Sequence, residues 1–272
     1  MGLKTSLKRS CYVGSESMNK DLKNMIRKNK LSFGSWITLG HTSIPEIMAQ
    51  AKFDWLVIDL EHSAIDIQKT QELIQIIDLK GITPLVRLTA NDASLIKRVM
   101  DAGAYGVIVP MVNNKEDAIR SVKAVKYPPV GTRSVGLARA QGYGTTFEEY
   151  KSWINKDSVI IVQIEHIDAV KNIDEIFSIK EIDGYIIGPY DLSASLNRPG
   201  ELNNIRVLDA EKKVLKSAKK YGKIAGIHVV EPKSKLVLEK IKMGYKFVAI
   251  GTDFLFLGNA SSNIMTEIKK RL

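Results

Sequence analysis

Residues 83–110 read TPLVRLTANDASLIKRVMDAGAYGVIVP, and this stretch contains the unit from which the fold is predicted. An apolar run rich in β-branched residues ends in Arg87, a segment of helical period follows Asn91 and Asp92, and a second apolar run closes the stretch. Asn and Asp are common at the start of a helix, and Gly103 stands where a glycine often ends one. This order predicts two parallel strands joined by a crossover helix.

The same alternation of short apolar runs and helical segments repeats along the chain. The eight candidate strands are 33–39, 55–59, 83–87, 106–110, 159–165, 184–187, 223–227 and 247–251. Eight such units predict an α/β fold, a closed (β/α)8 TIM barrel. An open doubly wound sheet is the alternative, but residues 38–43, TLGHTS, lack the glycine-rich phosphate fingerprint that usually follows its first strand.

Length and composition indicate one domain, which we place at residues 18–272. The chain has 272 residues, of which 44% are hydrophobic, enough for one large core. Charged residues interrupt every apolar run well before the roughly 18 residues of a membrane span, so no membrane partner is expected. The single cysteine, Cys11, rules out an intrachain disulfide and makes the cytoplasm the simplest location.

The net charge of +10 is concentrated at the start of the chain. Residues 1–30 hold eight basic and two acidic residues, a balance of +6 that leaves +4 for the rest. Residues 1–17 are polar and are predicted to be a flexible extension. We therefore expect no nucleic-acid partner. A non-catalytic barrel recruited as a binding protein through the basic first 30 residues is kept as an alternative.

Candidate functional residues follow the predicted strands, because TIM-barrel active sites lie at the carboxyl ends of the strands. Glu165 and Asp191 follow neighbouring strands, where two carboxylates can bind a hard divalent cation and leave positions for water and substrate. Alternatively, each pairs with an arginine or caps a helix. Arg87 would place its guanidinium at the rim to bind a carboxylate or an enolate oxygen. The alternative is a structural ion pair with Asp59 or Glu61.

His62 is the candidate for proton transfer. It lies shortly after the second strand beside Asp59 and Glu61, which could orient an imidazole and raise its basicity. A histidine near a strand end does not by itself identify the catalytic residue, since three others also lie near strand ends: His41, His166 and His228. The long connection at residues 127–147 is rich in Pro and Gly and contains arginines, which predicts an ordered loop near the barrel mouth, either a lid or an interface.

Six segments, in the same order, resemble the HpcH/HpaI family of class II pyruvate aldolases. The resemblance covers about residues 18–257. The segments are FDWLVIDLEH (53–62), PLVRLTANDASLIKRVMDAGAYGVIVPMV (84–112), KYPPVGTRSVGLARAQGYG (126–144), VQIEHIDAVKNIDEI (162–176), DGYIIGPYDLSASL (183–196) and FVAIGTD (247–253).

The resemblance implies a metal-dependent lyase that cleaves a 4-hydroxy-2-oxo acid to pyruvate and an aldehyde. His62 would be the general base, Arg87 would stabilise the enolate, and Glu165 and Asp191 would bind Mg²⁺, Mn²⁺ or Co²⁺. A lyase of the citrate-lyase type acting on acyl-coenzyme A is the enzymatic alternative. The family also implies a homo-oligomer, commonly a hexamer or trimer of dimers, with C-terminal helices packed against a partner subunit.

Further contacts are implied by the resemblance alone. Gln163 and the segment containing Gly188, Tyr190 and Asp191 would contact the oxo acid, and Asp101 would tune the histidine.

Three positions depart from the family pattern. Leu60 stands where the family usually has Gly, Tyr190 where it has Ala, and Ser134 where a Gly commonly follows the arginine. We expect Leu60 and Tyr190 to reshape the substrate pocket.

Overall fold

The computed structural model describes residues 21–272, which form a closed barrel of eight parallel strands. Each strand pairs with the next in the chain, and the eighth pairs with the first, so the predicted TIM barrel is confirmed. The strands are β1 Ser32–Ile37, β2 Trp55–Asp59, β3 Thr83–Arg87, β4 Gly106–Val109, β5 Val159–Ile164, β6 Gly184–Ile187, β7 Ile224–Val229 and β8 Phe247–Thr252.

Helices surround the barrel and close one end of it. They are α1 Asp21–Arg27, α2 Ser43–Met48, α3 Ile67–Leu79, α4 Ala93–Asp101, α5 Lys115–Val125, α6 Phe147–Asp157, α7 Ile167–Lys171, α8 Ile173–Phe177, α9 Pro189–Ser195, α10 Ile205–Tyr221, α11 Ser234–Met243 and α12 Asp253–Arg271. Short 3-10 turns add residues 49–51 and 139–144. Asp92 caps α4 by accepting a hydrogen bond from the Leu95 amide, as the sequence predicts.

All eight predicted strands exist, and those at 55–59, 83–87 and 184–187 have the predicted bounds. The first strand ends at Ile37 instead of residue 39, because the amides of Thr38 and Leu39 donate to the Asp253 carboxylate and leave the ladder. The seventh begins at Ile224 and extends to Val229, two residues further than predicted. These differences decide which side chains reach the barrel mouth.

The barrel interior is filled by alternate residues of the strands, because successive side chains point to opposite faces. Trp55 stacks on Phe247, with ring centroids 3.9 Å apart, at the end where the strands begin. Gly34 makes room for this, since a Cβ there would lie 2.1 Å from the Trp55 ring. Below this layer α1 inserts Leu22 and Ile26 into the same interior cluster. We call this closed end the base, and the opposite end the mouth.

The connection at residues 127–147 lies at the base, so its predicted position near the mouth is wrong. A helix that follows a strand in this fold runs back toward the base. The connection packs on helix ends there: Arg133 pairs with Asp101 at the end of α4, and Arg139 with Asp78 near the end of α3. It is ordered, as predicted, but it cannot act as a lid over this chain's own mouth.

Helix α12 extends from β8 and is exposed over most of its length. Exposed apolar residues along it include Leu257, Ile264, Met265 and Ile268. Within residues 21–272 no helix combines the length and apolar character that crossing a bilayer requires. The predicted extension at residues 1–17, the start of the domain at residue 18 and Cys11 lie outside the described residues.

Candidate active site

Arg87 and Asp59 form the centre of the mouth, on neighbouring strands β3 and β2. The Arg87 guanidinium donates from Nε and Nη2 to the two Asp59 oxygens, at 2.9 and 2.6 Å. Asp59 also accepts hydrogen bonds from the amides of Glu61 and His62, so it shapes the turn after β2. Trp36 lies beneath the guanidinium, whose carbon is 4.4 Å from the ring centroid. The ion pair and the ring together fix the arginine in place.

Glu61 points from this turn toward the same arginine, but its carboxylate has too few hydrogen-bond partners. Its Oε2 atom is 3.2 Å from Arg87 Nη1, yet it is enclosed and lacks a hydrogen bond of acceptable geometry. Burial raises the pKa of Glu61 to about 7, and the nearby carboxylates of Glu165, Asp59 and Asp191 add to this against the opposing charge of Arg87. A carboxylate in this state indicates a site that carries more negative than positive charge.

His62 stands at the edge of the mouth with its side chain 66% exposed. Its Nε2 atom is 3.8 Å from Glu61 Oε2. Asp59, the other acid that the sequence placed beside it, is occupied by Arg87 and contacts only the His62 backbone amide. The imidazole is therefore accessible to a substrate and has one neighbouring carboxylate.

Glu165 follows β5 and is 3% exposed. Its Oε1 atom accepts a hydrogen bond from the Met111 amide at 2.7 Å, and its Oε2 atom accepts one from the Gln163 side chain. Burial raises the pKa of Glu165, although the two hydrogen bonds oppose the effect, and the Asp191 charge raises it further. Gln163 is itself buried, so it can also position a ligand beside this carboxylate.

Asp191 lies in the first turn of the short helix α9, just after β6. Its side chain is exposed and forms no hydrogen bond or ion pair with any other residue in the range 21–272. Gly188, three residues before Asp191, lies against Glu165, since a Cβ at Gly188 would lie 3.0 Å from the Glu165 Oε2 atom. The glycine therefore keeps the space beside the Glu165 carboxylate open.

These residues fit a divalent cation. Four carboxylates lie near one another at the mouth: those of Asp59, Glu61, Glu165 and Asp191. Among residues 21–272, only Arg87 and His62 come within ion-pair distance of any of them. Within residues 21–272, however, no three His, Cys, Asp or Glu side chains are arranged so that they could hold one metal ion together. Glu165 and Asp191 would supply two oxygens, which suits an ion such as Mg²⁺ that keeps several waters. The raised pKa of Glu165 and the space at Gly188 support this position.

Asp101 does not join the site of its own chain. It ends α4, roughly 13 Å along the helix axis from the mouth at 1.5 Å per residue. It pairs there with Arg133 at 2.5 Å and accepts from the Gln141 side chain. The expectation that it tunes His62 is therefore not met within one chain, and such a contact would need a second copy of the molecule.

Leu60 does not shape the pocket, contrary to expectation. Because Asp59 points into the barrel, the next residue points outward, and Leu60 is 6% exposed in the core between sheet and helices. Tyr190, in contrast, is 53% exposed beside Asp191 and is free to contact a substrate. Ser134 lies exposed in the connection at the base.

Three residues contribute more to the site than the sequence predicts. Trp36 supports Arg87 from β1, Asp59 holds the arginine and the turn after β2, and the Met111 amide binds Glu165. Strand alternation could have identified Trp36 and Asp59, which are the last inward residues of their strands. The role of the Met111 amide depends on the path of a loop, and residue type carries no signal for it.

The family model described as HpcH/HpaI aldolase/citrate lyase matches residues 32–260. The chain belongs to this family. A 5-keto-4-deoxy-D-glucarate aldolase from Enterobacter sp. (strain 638) is 36% identical over 252 residues, which cover 91% of this chain and 96% of the relative. A 2-keto-3-deoxy-L-rhamnonate aldolase from Escherichia coli (strain K12) is 34% identical, covering 93% and 94% of the two chains.

A solved structure agrees with this assignment. The HpcH/HpaI aldolase/citrate lyase family protein from Burkholderia cenocepacia J2315 superimposes with a TM-score of 0.87 at 29% identity, covering 92% of this chain and 99% of that one. The fold and the enzyme class expected from the sequence are confirmed.

Proposed function

We propose that this aldolase cleaves a 4-hydroxy-2-oxo acid to pyruvate and an aldehyde at the mouth built from Arg87, His62, Glu165 and Asp191. The observation that carries the proposal is the excess of carboxylates around one fixed arginine, because a bound cation would balance it and Arg87 Nη1 is directed at the mouth, where negative charge develops. The sugar-acid aldolases among the relatives support the substrate class.

The proposed reaction begins with binding of the oxo acid near Gln163 and Gly188. Glu165 and Asp191 would hold a divalent cation, with Mg²⁺, Mn²⁺ and Co²⁺ as candidates, and when bound it would supply positive charge next to the oxo acid. His62 takes the proton of the C4 hydroxyl as the C3–C4 bond breaks, and the bond's electron pair forms the enolate of pyruvate. The aldehyde leaves, and protonation of C3 gives pyruvate.

Arg87 is placed to stabilise the enolate. Nε and Nη2 hold Asp59, while Nη1 lies 3.2 Å from Glu61 Oε2 without a hydrogen bond of acceptable geometry, so it can donate to an oxygen at the mouth. A fixed donor aimed at developing charge is among the strongest contributions to catalysis. Tyr190 stands beside Asp191 where the rest of the substrate would pass.

We also propose that the molecule works as a homo-oligomer, such as a hexamer arranged as a trimer of dimers. The exposed apolar residues of α12 support it, as do Val135 and Leu137 in the connection at the base. In such an assembly Asp101 of one subunit is available to a neighbour. The single cysteine of the sequence supports a cytoplasmic location.

A pyruvate-release assay over a panel of 4-hydroxy-2-oxo acids, with and without chelator, tests the function. We expect pyruvate and an aldehyde in equal amounts, with activity lost on chelation and restored by added Mg²⁺, Mn²⁺ or Co²⁺. Activity that is indifferent to chelation would reject the metal site. Cleavage of an acyl-coenzyme A in place of every oxo acid would favour the citrate-lyase type of reaction.

A further inference from the structure

The rim of the mouth is divided into two sectors of different chemistry. Strands β2 to β6 and the loops after them carry the charged groups described above. The remaining third is formed by β7, β8 and β1, whose last inward positions are His228, Gly251 and Trp36. Asp253, also at this edge, is 5% exposed and is used by the amides of Thr38 and Leu39. The inward side chains of this second sector are therefore uncharged, and we call it the neutral sector; its other charged residues, Glu231 and Lys233, pair with each other in the loop after β7.

His228 is the polar side chain of this neutral sector. Ile224 points into the barrel and β7 alternates, so His228, four residues later, also points inward and lies in the upper layer with Arg87. The ring is largely enclosed and tilted against Trp36, with ring centroids 5.4 Å apart. Trp36 in turn lies 4.4 Å beneath the Arg87 guanidinium. The Trp36 ring therefore contacts both the Arg87 guanidinium and the His228 imidazole.

The hydrogen bond of His228 determines which ring nitrogen remains available. Its Nε2 atom is 3.1 Å from the Gly251 carbonyl oxygen, which can only accept, so Nε2 carries the proton. Nδ1 makes no hydrogen bond with residues 21–272, and it is not among the enclosed unpartnered atoms of that range. Nδ1 is thus an acceptor with access to the mouth.

The electrostatic surroundings keep this acceptor available. Burial lowers the pKa of His228 to about 4, opposed in part by the Gly251 carbonyl, while the Arg87 charge lowers it further and Asp59 opposes this. At neutral pH the imidazole is uncharged, and an uncharged imidazole with a fixed Nε2 proton can only accept at Nδ1.

We propose that His228 selects substrates with a hydroxylated aldehyde half, its Nδ1 atom accepting a hydrogen bond from a hydroxyl of that half as it lies over Trp36. The inference rests on the proposed function, which assigns the pyruvate half to the charged sector and leaves the neutral sector for the aldehyde. The inward side chains of this sector, Trp36 and His228, are uncharged, and Gly251 has none, which suits a chain of carbons bearing hydroxyls.

The test measures aldol addition of pyruvate to glyceraldehyde and to propionaldehyde, which share a carbon chain and differ in the hydroxyls. We expect His228→Leu to lower the ratio of the two kcat/KM values about tenfold, the typical worth of one hydrogen bond. His228→Gln, which can donate to Gly251 and still accept, should keep at least half of the wild-type ratio. His41→Leu, at an exposed histidine near the same end, should leave the ratio unchanged.

Deuterium exchange at C3 of pyruvate, without aldehyde, separates this inference from the proposed function. It needs only the charged sector, so we expect it to be unaltered in His228→Leu, which also shows that the variant folds. An unchanged aldehyde ratio alongside intact exchange would overturn the role of His228. A parallel loss of exchange and of both additions would overturn it too. Absence of exchange in the wild-type protein would reject the proposed function and this inference with it.

Discussion

Two buried ion pairs, one at each end of the barrel, are built from similar groups and differ in what surrounds them. At the base, Lys23 and Asp183 are 2.5 Å apart, the lysine also donates to the Ser158 carbonyl, and the aspartate accepts from the Ile160 amide. At the mouth, Arg87 and Asp59 pair as closely, but unmatched carboxylates adjoin them.

The difference separates a structural pair from a functional one. At the base the charged groups have hydrogen-bond partners: even the buried Lys126, which pairs with no carboxylate of residues 21–272, donates to the Ser158 hydroxyl and to the Ile154 carbonyl. The mouth is left with surplus negative charge that only a ligand or a cation can balance. Burial and a perturbed pKa occur at both ends, so the feature that marks the site is a buried carboxylate oxygen without a hydrogen-bond partner among residues 21–272, Glu61 Oε2.

The largest effect is expected from Arg87→Lys. A lysine keeps one positive charge but loses the fork that holds Asp59 while a further N–H is directed at the enolate. We expect kcat for aldol cleavage to fall by about 10² to 10³, as for loss of a single donor to a developing oxyanion. Steady-state pyruvate release measures it. A kcat within threefold of wild type would remove Arg87 from the mechanism.

Asp183→Asn tests the opposite end of the comparison. Removal of one partner leaves the Lys23 ammonium buried and unpaired, so the free energy of unfolding should fall by about 3 kcal/mol. Urea denaturation measures the loss, and kcat at 25 °C should stay at the wild-type value. If kcat fell while the unfolding free energy did not, the base would have a functional role that its hydrogen-bonded charges do not suggest.

The smallest effect is a dependence of stability on pH, with opposite signs at the two ends. In the folded protein the pKa of Glu61 is raised from 4.5 to about 7, so its contribution to stability is full below pH 4.5 and is lost as pH rises to 7. Burial, with the Lys23 charge, lowers the pKa of Lys126 from 10.5 to about 7. Its contribution is full above pH 10.5 and is lost as pH falls to 7.

Thermal unfolding of metal-free protein between pH 5 and 10 measures both contributions. On the acidic side of this range, the free energy of unfolding should change with pH by about 1 to 2 kcal/mol less in Glu61→Gln than in the wild type. On the alkaline side, the change should be smaller by a similar amount in Lys126→Met. If the free energy of unfolding of Glu61→Gln changed with pH on the acidic side as it does in the wild type, the pKa of Glu61 would not be raised in the folded protein. The mouth would then not carry surplus negative charge.

Much of the site follows from local pattern. The apolar runs ending at Asp59 and Arg87 predict strands with the observed bounds, and the order of eight units predicts the closed barrel. His228 was within reach of the same reasoning, since it has the parity of Ile224. From the sequence it was one of four histidines near strand ends, and residue type alone did not set it apart from the other three, while the seventh strand was expected to end at residue 227. A strand boundary is set by which amides remain in the ladder, and that depends on neighbouring strands.

Other features depended on contacts between distant parts of the chain. Leu60 turns into the outer core because Asp59 is held by Arg87 in the mouth, and Asp101 lies at the base because its helix runs back from the strand ends. The connection at 127–147 follows Asp101 and Asp78 to the base for the same reason. The composition of that connection predicted that it is ordered, but it did not indicate at which end of the barrel the connection lies.

The amino-acid sequence by itself determined the alternation of strand and helix, the family, and the carboxylates and arginine at strand ends, because periodicity and residue type act over a few residues. Only the tertiary structure decided which charges are matched and which are left over. Burial, pairing and pKa depend on groups brought together from separate strands: burial raises the pKa of Glu61, and the charges of Glu165 and Asp191, more than a hundred residues away in the chain, raise it further.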